Sequence, residues 1–500
     1  MSSGPALNVL FIASEAVPFI KVGGLADVAG SLPLALKNLQ FSHPPHQVDL
    51  DVRLVLPFHP IIQKESLGLE QIAEFSIQTI TDVIQVQAFT CEFKGLPVYL
   101  IGAPPFDQET AVYSADLEAD GYKYVFFSIA ALELARNLGW KINILHANDW
   151  HTATAVYALS LWRNSDPFFH QVTSLLTIHN LPYLGSMTSS ALKDFRLPTA
   201  TRSALPAWAK NMALPLGLLT ADSIIAVSPE YSKEILSAEY GSGLHTFLRT
   251  RANVITGILN GLDTEKWDPS MDPHISQKYS SADLASRIIN KTFLQEQFGL
   301  EVNPRIPVLI MVTRMDPQKG VDLAVDALRE LLQTSSDQTP PLQMIFLGMG
   351  NTALEDETRR LEHDYPQHVR ARIMFDDRLS HCMYAGADML LMPSRYEPCG
   401  LSQMIAMHYG CVPIARATGG LCDTIQDVAN SDQPTGFLFK SADPETLSHT
   451  ISLALQLYLE DPVAWQAIQI RGMQHDFSWD RSAKEYLKIY HILLDERKKV

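Results

Sequence analysis

Val9-Leu10-Phe11-Ile12-Ala13 and, after a short interval, Lys21-Val22-Gly23-Gly24-Leu25-Ala26-Asp27-Val28 decide how this chain is read. The unbroken apolar run fits a strand buried on both faces, and the Gly-Gly pair leading into a new apolar pattern fits a loop that enters a helix. The same order returns in the second half, where Val308-Leu309-Ile310-Met311-Val312 runs into Thr313-Arg314-Met315-Asp316-Pro317-Gln318-Lys319-Gly320. Around these two anchors, strand candidates alternate with helical patterns. They are 54–56, 142–145, 174–178 and 224–227 in the first half, then 344–347, 389–392 and 412–414 in the second. Such alternation predicts parallel, doubly wound α/β sheets. A chain of 500 residues exceeds what one core serves, so two Rossmann-like domains are expected. The boundary is set near Ala252, ahead of Ile258-Leu259-Asn260-Gly261, giving domains 1–252 and 253–480 with no Gly/Ser linker between them. Lys21, His179, Arg314, Glu397 and Thr418 each follow a strand candidate. They converge only if the two domains face each other across a deep cleft, with ligands at the carboxyl ends of the strands.

Composition narrows the function classes. Hydrophobic residues make up 46% of the chain and mean hydropathy is +0.01, as in ordinary globular proteins. A formal net charge of -16 disfavours nucleic acid and anionic lipid surfaces, and a neutral polysaccharide partner is compatible with it. No membrane partner is expected. Cys91, Cys382, Cys399, Cys411 and Cys422 lack metal-like spacing and read as reduced thiols. The N-terminus lacks a basic leader and its apolar run is short, so residues 7–13 read as a first strand, not a signal peptide. The expected location is the cytoplasm, or a plastid stroma after removal of a transit peptide. The polar stretches 42–47 and 335–341 read as surface loops.

The chemistry is concentrated in Ser394-Arg395-Tyr396-Glu397-Pro398-Cys399-Gly400-Leu401-Ser402-Gln403 and Thr418-Gly419-Gly420-Leu421. A lone carboxylate stands beside two glycine turns. Glycine turns and helix starts bring N–H groups close to an anion, and a diphosphate is the natural guest. Arg314 and Lys319, a fork-shaped donor and a point charge around a helix start, suit a departing diphosphate. Glu397 is open to three roles: nucleophile, base, or acceptor for sugar hydroxyls. No second motif-borne carboxylate accompanies it, as a hydrolase pair would need.

With KVGGLADV at 21–28, HANDWHTA at 146–153, TIHNLPYLG at 177–185, ADSIIAVSPEYSKEI at 221–235, ILNGLD at 258–263, VTRMDPQKG at 312–320 and SRYEPCGLSQ at 394–403, the chain resembles the bacterial and plant type glycogen/starch synthases. These are retaining glucosyltransferases of the GT-B fold. The resemblance implies ADP-glucose as donor and an α-1,4-glucan (glycogen, starch or a maltooligosaccharide) as acceptor, with ADP released. It implies catalytic roles for Lys21, His179, Arg314, Lys319 and Glu397. Donor binding falls to Lys21, Gly23, Gly24, Asn260, Arg314, Lys319, Cys399, Gly400, Leu401, Thr418, Gly419 and Gly420. Asp27, Tyr113, Asp149 and His151 lie on the acceptor or glucosyl side. The front-face, ion-pair route described for the family assigns Glu397 to binding and electrostatics. The helical segment 482–494 is expected to cross back onto the N-terminal domain.

Cofactors are not expected, and neither is a metal. His146, Asp149 and His151 cluster, but they straddle a strand end and a helix start without a shared face. Asp49-Leu50-Asp51 imitates the DxD signature of metal-dependent transferases, yet it precedes its strand and so lies at the wrong sheet edge. Several positions depart from the family pattern: Asn211 after Lys210, Phe375 for a common tyrosine, Cys382 after His381, and Ile405 at the second position of the EX7E pattern. The alternatives are a UDP-sugar-dependent GT-B transferase with another acceptor, and a catalytically weak glucan-binding or priming protein. Oligomeric state is not readable from the chain.

Overall fold

The computed structural model describes residues 7–39, 50–64, 67–107, 111–333 and 342–497. The two polar stretches expected as surface loops, 42–47 and 335–341, lie outside the described residues. The chain forms two compact units, one of Met1–Gly261 with Trp479–Val500 and one of Leu262–Ser478.

In the first unit the strands are β1 (Leu7–Ile12), β2 (Leu50–Pro57), β3 (Glu70–Gln78), β4 (Val83–Phe93), β5 (Leu96–Gly102), β6 (Ile144–Asn148), β7 (Thr173–Ile178), β8 (Ser223–Ala226) and β9 (Ile255–Gly257). They pair in the order β3-β4-β5-β2-β1-β6-β7-β8-β9. From β5 to β9 every pair is parallel, and β3 and β4 add an antiparallel extension. That extension is absent from the strand candidates, although β3 and β4 alternate exposed and buried residues as a half-solvated sheet must. Sheet order reverses between β1 and β6, which makes their carboxyl ends the natural ligand position.

One boundary differs from expectation. β9 pairs with β8 and so belongs to the first unit, moving the boundary from Ala252 to Gly261. At that point a Cβ on Gly261 would lie 2.6 Å from Trp479 Cα, so the two crossing segments need a glycine. The last helix, Trp479–Arg497, buries Trp479, Ser482, Ala483, Tyr486, Leu487, Tyr490 and Leu493 at helical spacing. It shares one core with Phe11, Val28 and Leu32.

The second unit carries β10 (Val308–Val312), β11 (Gln343–Gly348), β12 (Val369–Ile373), β13 (Met389–Met392), β14 (Val412–Arg416) and β15 (Phe437–Phe439). Its order is β12-β11-β10-β13-β14-β15, parallel throughout, with the reversal between β10 and β13. Leu309, Met311, Met344, Phe346, Leu391 and Ile414 form the centre of its core.

Candidate active site

In the first unit, the segment after β1 leads through Ser14, Glu15 and the 21–24 turn to the helix Gly24–Asn38. Glu15, which sequence reading did not single out, is 2% exposed. Its Oε2 accepts the N–H of Val22 at 2.5 Å and of Gly23 at 2.9 Å, and its Oε1 accepts the Tyr113 hydroxyl at 3.0 Å. Tyr113 also shares a hydrogen bond with Ser14 Oγ at 2.9 Å. Gly23, assigned to the donor by the resemblance, has its own N–H held by Glu15. Gly24 is different, since a Cβ there would meet nothing within 4 Å. Lys21 Nζ, assigned to the donor, pairs at 2.8 Å with Asp27, assigned to the sugar side.

Beyond β6, Asp149 opens the helix Asp149–Trp162 with φ +53, a conformation that Asp and Asn adopt more readily than other non-glycine residues. Its Oδ1 accepts the amides of His179 at 2.7 Å and Asn180 at 3.3 Å, which fixes the chain as it leaves β7. Burial pushes the Asp149 carboxyl up to about 7, against the pull of those two amides. His179 Nε2 lies 2.9 Å from Asn148 Oδ1, while Asn148 Nδ2 donates to Ile12 O at 3.0 Å. Burial draws the His179 imidazole down to about 3, so the ring is neutral. With Asn148 oriented by Ile12, the proton sits on Nε2 and Nδ1 is left as an acceptor. Asn148 lies within the 146–153 motif, but its role depends on a neighbouring strand and is not legible from the sequence.

His151 lies with its ring 4.8 Å from that of Tyr113, tilted by 31°, and belongs to this cluster. His146 does not. Its two nitrogens are taken by Tyr490 at 2.7 Å and Thr177 at 2.9 Å, which makes it a core histidine. Asp51 stands within β2, at its start, and binds the Arg53 guanidinium and Trp140 Nε1, so it is committed to structure. No cluster of metal-ligating side chains is found among the described residues.

Several buried polar atoms here have no hydrogen-bond partner: both His59 nitrogens, His151 Nδ1, Asn180 Oδ1 and Asn260 Oδ1. Each lies just past the carboxyl end of a strand, after β2, β6, β7 and β9 respectively. Buried polar groups are usually paired. A row of uncharged donors and acceptors along one sheet edge suits the hydroxyls of a sugar.

In the second unit, Lys319 Nζ reaches both oxygens of Glu397, at 2.9 and 2.7 Å, and Ser394 Oγ donates to Oε2 at 2.9 Å. Glu397 is 4% exposed, so a buried carboxylate is held by a half-buried lysine, with both of its oxygens engaged. The two loops that carry it brace each other. Arg395 N donates to Gln318 O at 2.7 Å, Gln318 Nε2 donates to Tyr396 O at 3.1 Å, and the Arg395 guanidinium grips Asp322 at 2.9 and 2.6 Å. Gly320, at φ +66, completes the turn, and a Cβ there would strike Pro393 O at 2.2 Å. Arg314 stands apart, paired with Asp316 at 3.1 Å and with 55% of its side chain exposed.

Gly419 and Gly420 have a packing reason to be glycine. A Cβ on Gly419 would come within 2.0 Å of Glu397 O, and one on Gly420 within 2.1 Å of Cys399 O. Thr418 stands at the N-cap position of their helix, Gly419–Thr424, without a side-chain capping bond. The close approach expected toward a ligand is therefore made first to the 397–399 backbone, and it presses the Glu397 loop into place. Gly400, Leu401, Ser394, Thr313, Lys319 and Glu397 line one small cavity. Among the departures, Ile405 is buried and apolar, Cys382 donates to His274 O at 3.2 Å, Asn211 O accepts from Thr188, and Phe375 is 71% exposed.

Comparison with known proteins agrees with this arrangement. Residues 8–250 match the family model described as starch synthase catalytic domain, and residues 293–467 match glycosyl transferases group 1. A glycogen synthase of Thermotoga maritima is 40% identical over 97% of this chain and 98% of its own length. One from Syntrophotalea carbinolica is 36% identical over 97% of this chain and 98% of its own. Among solved structures, the catalytic domain of starch synthase IV from Arabidopsis thaliana bound to ADP and acarbose matches with a TM-score of 0.87 and 30% identity, covering 98% of this chain and 100% of that one. Sucrose-phosphate synthase from Thermosynechococcus elongatus, at TM-score 0.60 and 19% identity over 98% of this chain and 100% of that one, shares the fold. Two doubly wound sheets, a lysine–glutamate pair at the switch point of the second, and similarity along nearly the whole length place this chain in the glycogen/starch synthase family of GT-B glycosyltransferases.

Proposed function

We propose that the chain transfers glucose from ADP-glucose to the non-reducing end of an α-1,4-glucan, with retention of configuration and release of ADP. The observation that carries this reading is the full-length similarity to glycogen synthases and to a starch synthase domain whose structure holds ADP and acarbose. The side chains support it chemically. Leaving-group departure places negative charge on a diphosphate, and Lys319 and Arg314 in the second unit are cations suited to stabilise it, with Lys21 given a donor role by the family resemblance. As the sugar becomes oxocarbenium-like, the buried Glu397 carboxylate offers a fixed opposite charge. Its oxygens are engaged by Lys319 and Ser394, which favours an electrostatic role over covalent attack. Neutral His179 and the unpartnered amide oxygens of Asn180 and Asn260 suit sugar hydroxyls.

No metal or cofactor takes part in this proposal. Protein cations would take the place of the divalent ion that other transferases use at the diphosphate. The test is incorporation of labelled glucose into glycogen from ADP-glucose and UDP-glucose in parallel, with EDTA present. Incorporation from ADP-glucose is expected. Preference for UDP-glucose would overturn the donor, abolition by EDTA would overturn the metal-free reading, and no incorporation from either would return weight to a glucan-binding protein.

A further inference from the structure

Two carboxylates in the first unit hold backbone instead of a cation. Asp149 gathers the amides of His179 and Asn180, and Glu15 gathers those of Val22 and Gly23. Burying a carboxylate is costly unless its oxygens are well paired. Every direct partner of Glu15 is neutral: the two amides and the Tyr113 hydroxyl. Its position joins three things, namely the end of β1, the turn that carries Lys21, and Tyr113. Further bonds pin the same segment, with Val17 N donating to Ala26 O at 3.0 Å and Ile20 N to Ala16 O at 2.9 Å. Gly23 has room for little else, since a Cβ there would sit 3.3 Å from Glu15 Oε1.

We propose that Glu15 is a positioning residue for donor binding: it sets the Val22–Gly23 turn so that Lys21 and the amide of Gly24 present themselves to the diphosphate, and it withholds the two intervening amides from that ligand. The inference rests on the ADP-glucose reading above. The amide of Gly24, first residue of its helix, has no intrahelical partner to lose, and nothing crowds the Cα. Lys21 sits one residue before the clamped pair, so the direction in which its side chain leaves the backbone is set by the turn. Its ammonium is parked on Asp27 in the first turn of the same helix.

The role is geometric, so reach and charge can be separated with two conservative variants. Glu15→Asp keeps the charge but withdraws the carboxylate by about 1.5 Å, the length of one C–C bond, which leaves at least one amide unreached. Glu15→Gln loses the charge but keeps an oxygen where Oε2 lies. Its NH2 can donate to Tyr113, whose hydroxyl then donates to Ser14. Steady-state kinetics with ADP-glucose and maltooligosaccharide varied in turn, and calorimetric titration of ADP alone, give the readout. Glu15→Asp is expected to lower kcat/KM for ADP-glucose and weaken ADP binding by about tenfold, with the acceptor KM within about twofold of wild type. Glu15→Gln is expected to stay within about threefold of wild type in all parameters. Glu15→Asp matching wild type would overturn the proposal. So would Glu15→Gln as impaired as Glu15→Asp, which would make the charge itself the working feature, or equal damage to both substrates, which would make the residue merely structural. A wild-type protein that transfers from neither nucleotide sugar would remove the functional reading and this proposal with it.

Discussion

Lys319 and Glu397 are held by the most complete set of contacts in the second unit's site, so their replacement gives the cleanest residue-scale tests. Lys319→Ala removes one cation and also strands a buried carboxylate. Turnover is expected to fall about a hundredfold, equivalent to about 3 kcal/mol of lost transition-state stabilisation, and initial-rate assays at saturating donor would show it. Wild-type turnover would defeat the assignment. Asp149 gives a different test. Its carboxyl titrates near 7 in the folded chain against an ordinary value of 3.8, so between those values the native state binds the extra proton. Stability from this group is therefore full at low pH and is lost as pH rises through about 7. Asp149→Asn, which tolerates the positive φ and can still accept the two amides, should flatten that part of the stability–pH curve measured by denaturant unfolding. Unchanged slopes would place the titration elsewhere. At this scale the sequence named Lys319 and Glu397 because each sits in a long motif. It could not name Glu15 or Asn148, whose roles exist only after a turn or a neighbouring strand folds onto them.

Among elements, the last helix is the most instructive. Trp479, Tyr486, Leu487, Tyr490 and Leu493 lie in the core of a unit whose other residues end at Gly261. Large-to-small changes at buried sites cost about 2–5 kcal/mol each, so losing all five, about 10–25 kcal/mol, matches or exceeds the ~5–15 kcal/mol that holds a typical domain. Truncation after Ser478 is thus expected to leave the first unit unfolded, read as loss of its near-ultraviolet circular dichroism. The milder Tyr490→Phe removes one partner of the buried His146 and should cost about 1–2 kcal/mol. The helix itself was legible from apolar spacing, and the parallel strands were legible as unbroken apolar runs. β9 was not, because a three-residue strand carries no period, and neither were β3 and β4, whose half-solvated alternation presents no unbroken apolar run.

For the whole molecule, doubling of one architecture was legible from length and from the recurrence of strand, glycine turn and helix. The boundary was not, since no change of composition marks Gly261 and only strand pairing and the crossing with Trp479 define it. That discontinuity has a consequence for how the protein is made. Residues 262–478 are contiguous and can complete their own core as soon as they leave the ribosome. The first unit, although synthesised earlier, must wait with an uncovered apolar flank until the residues beyond 478 arrive. The half translated first is the half that finishes folding last, and during that interval it is the natural client for a chaperone.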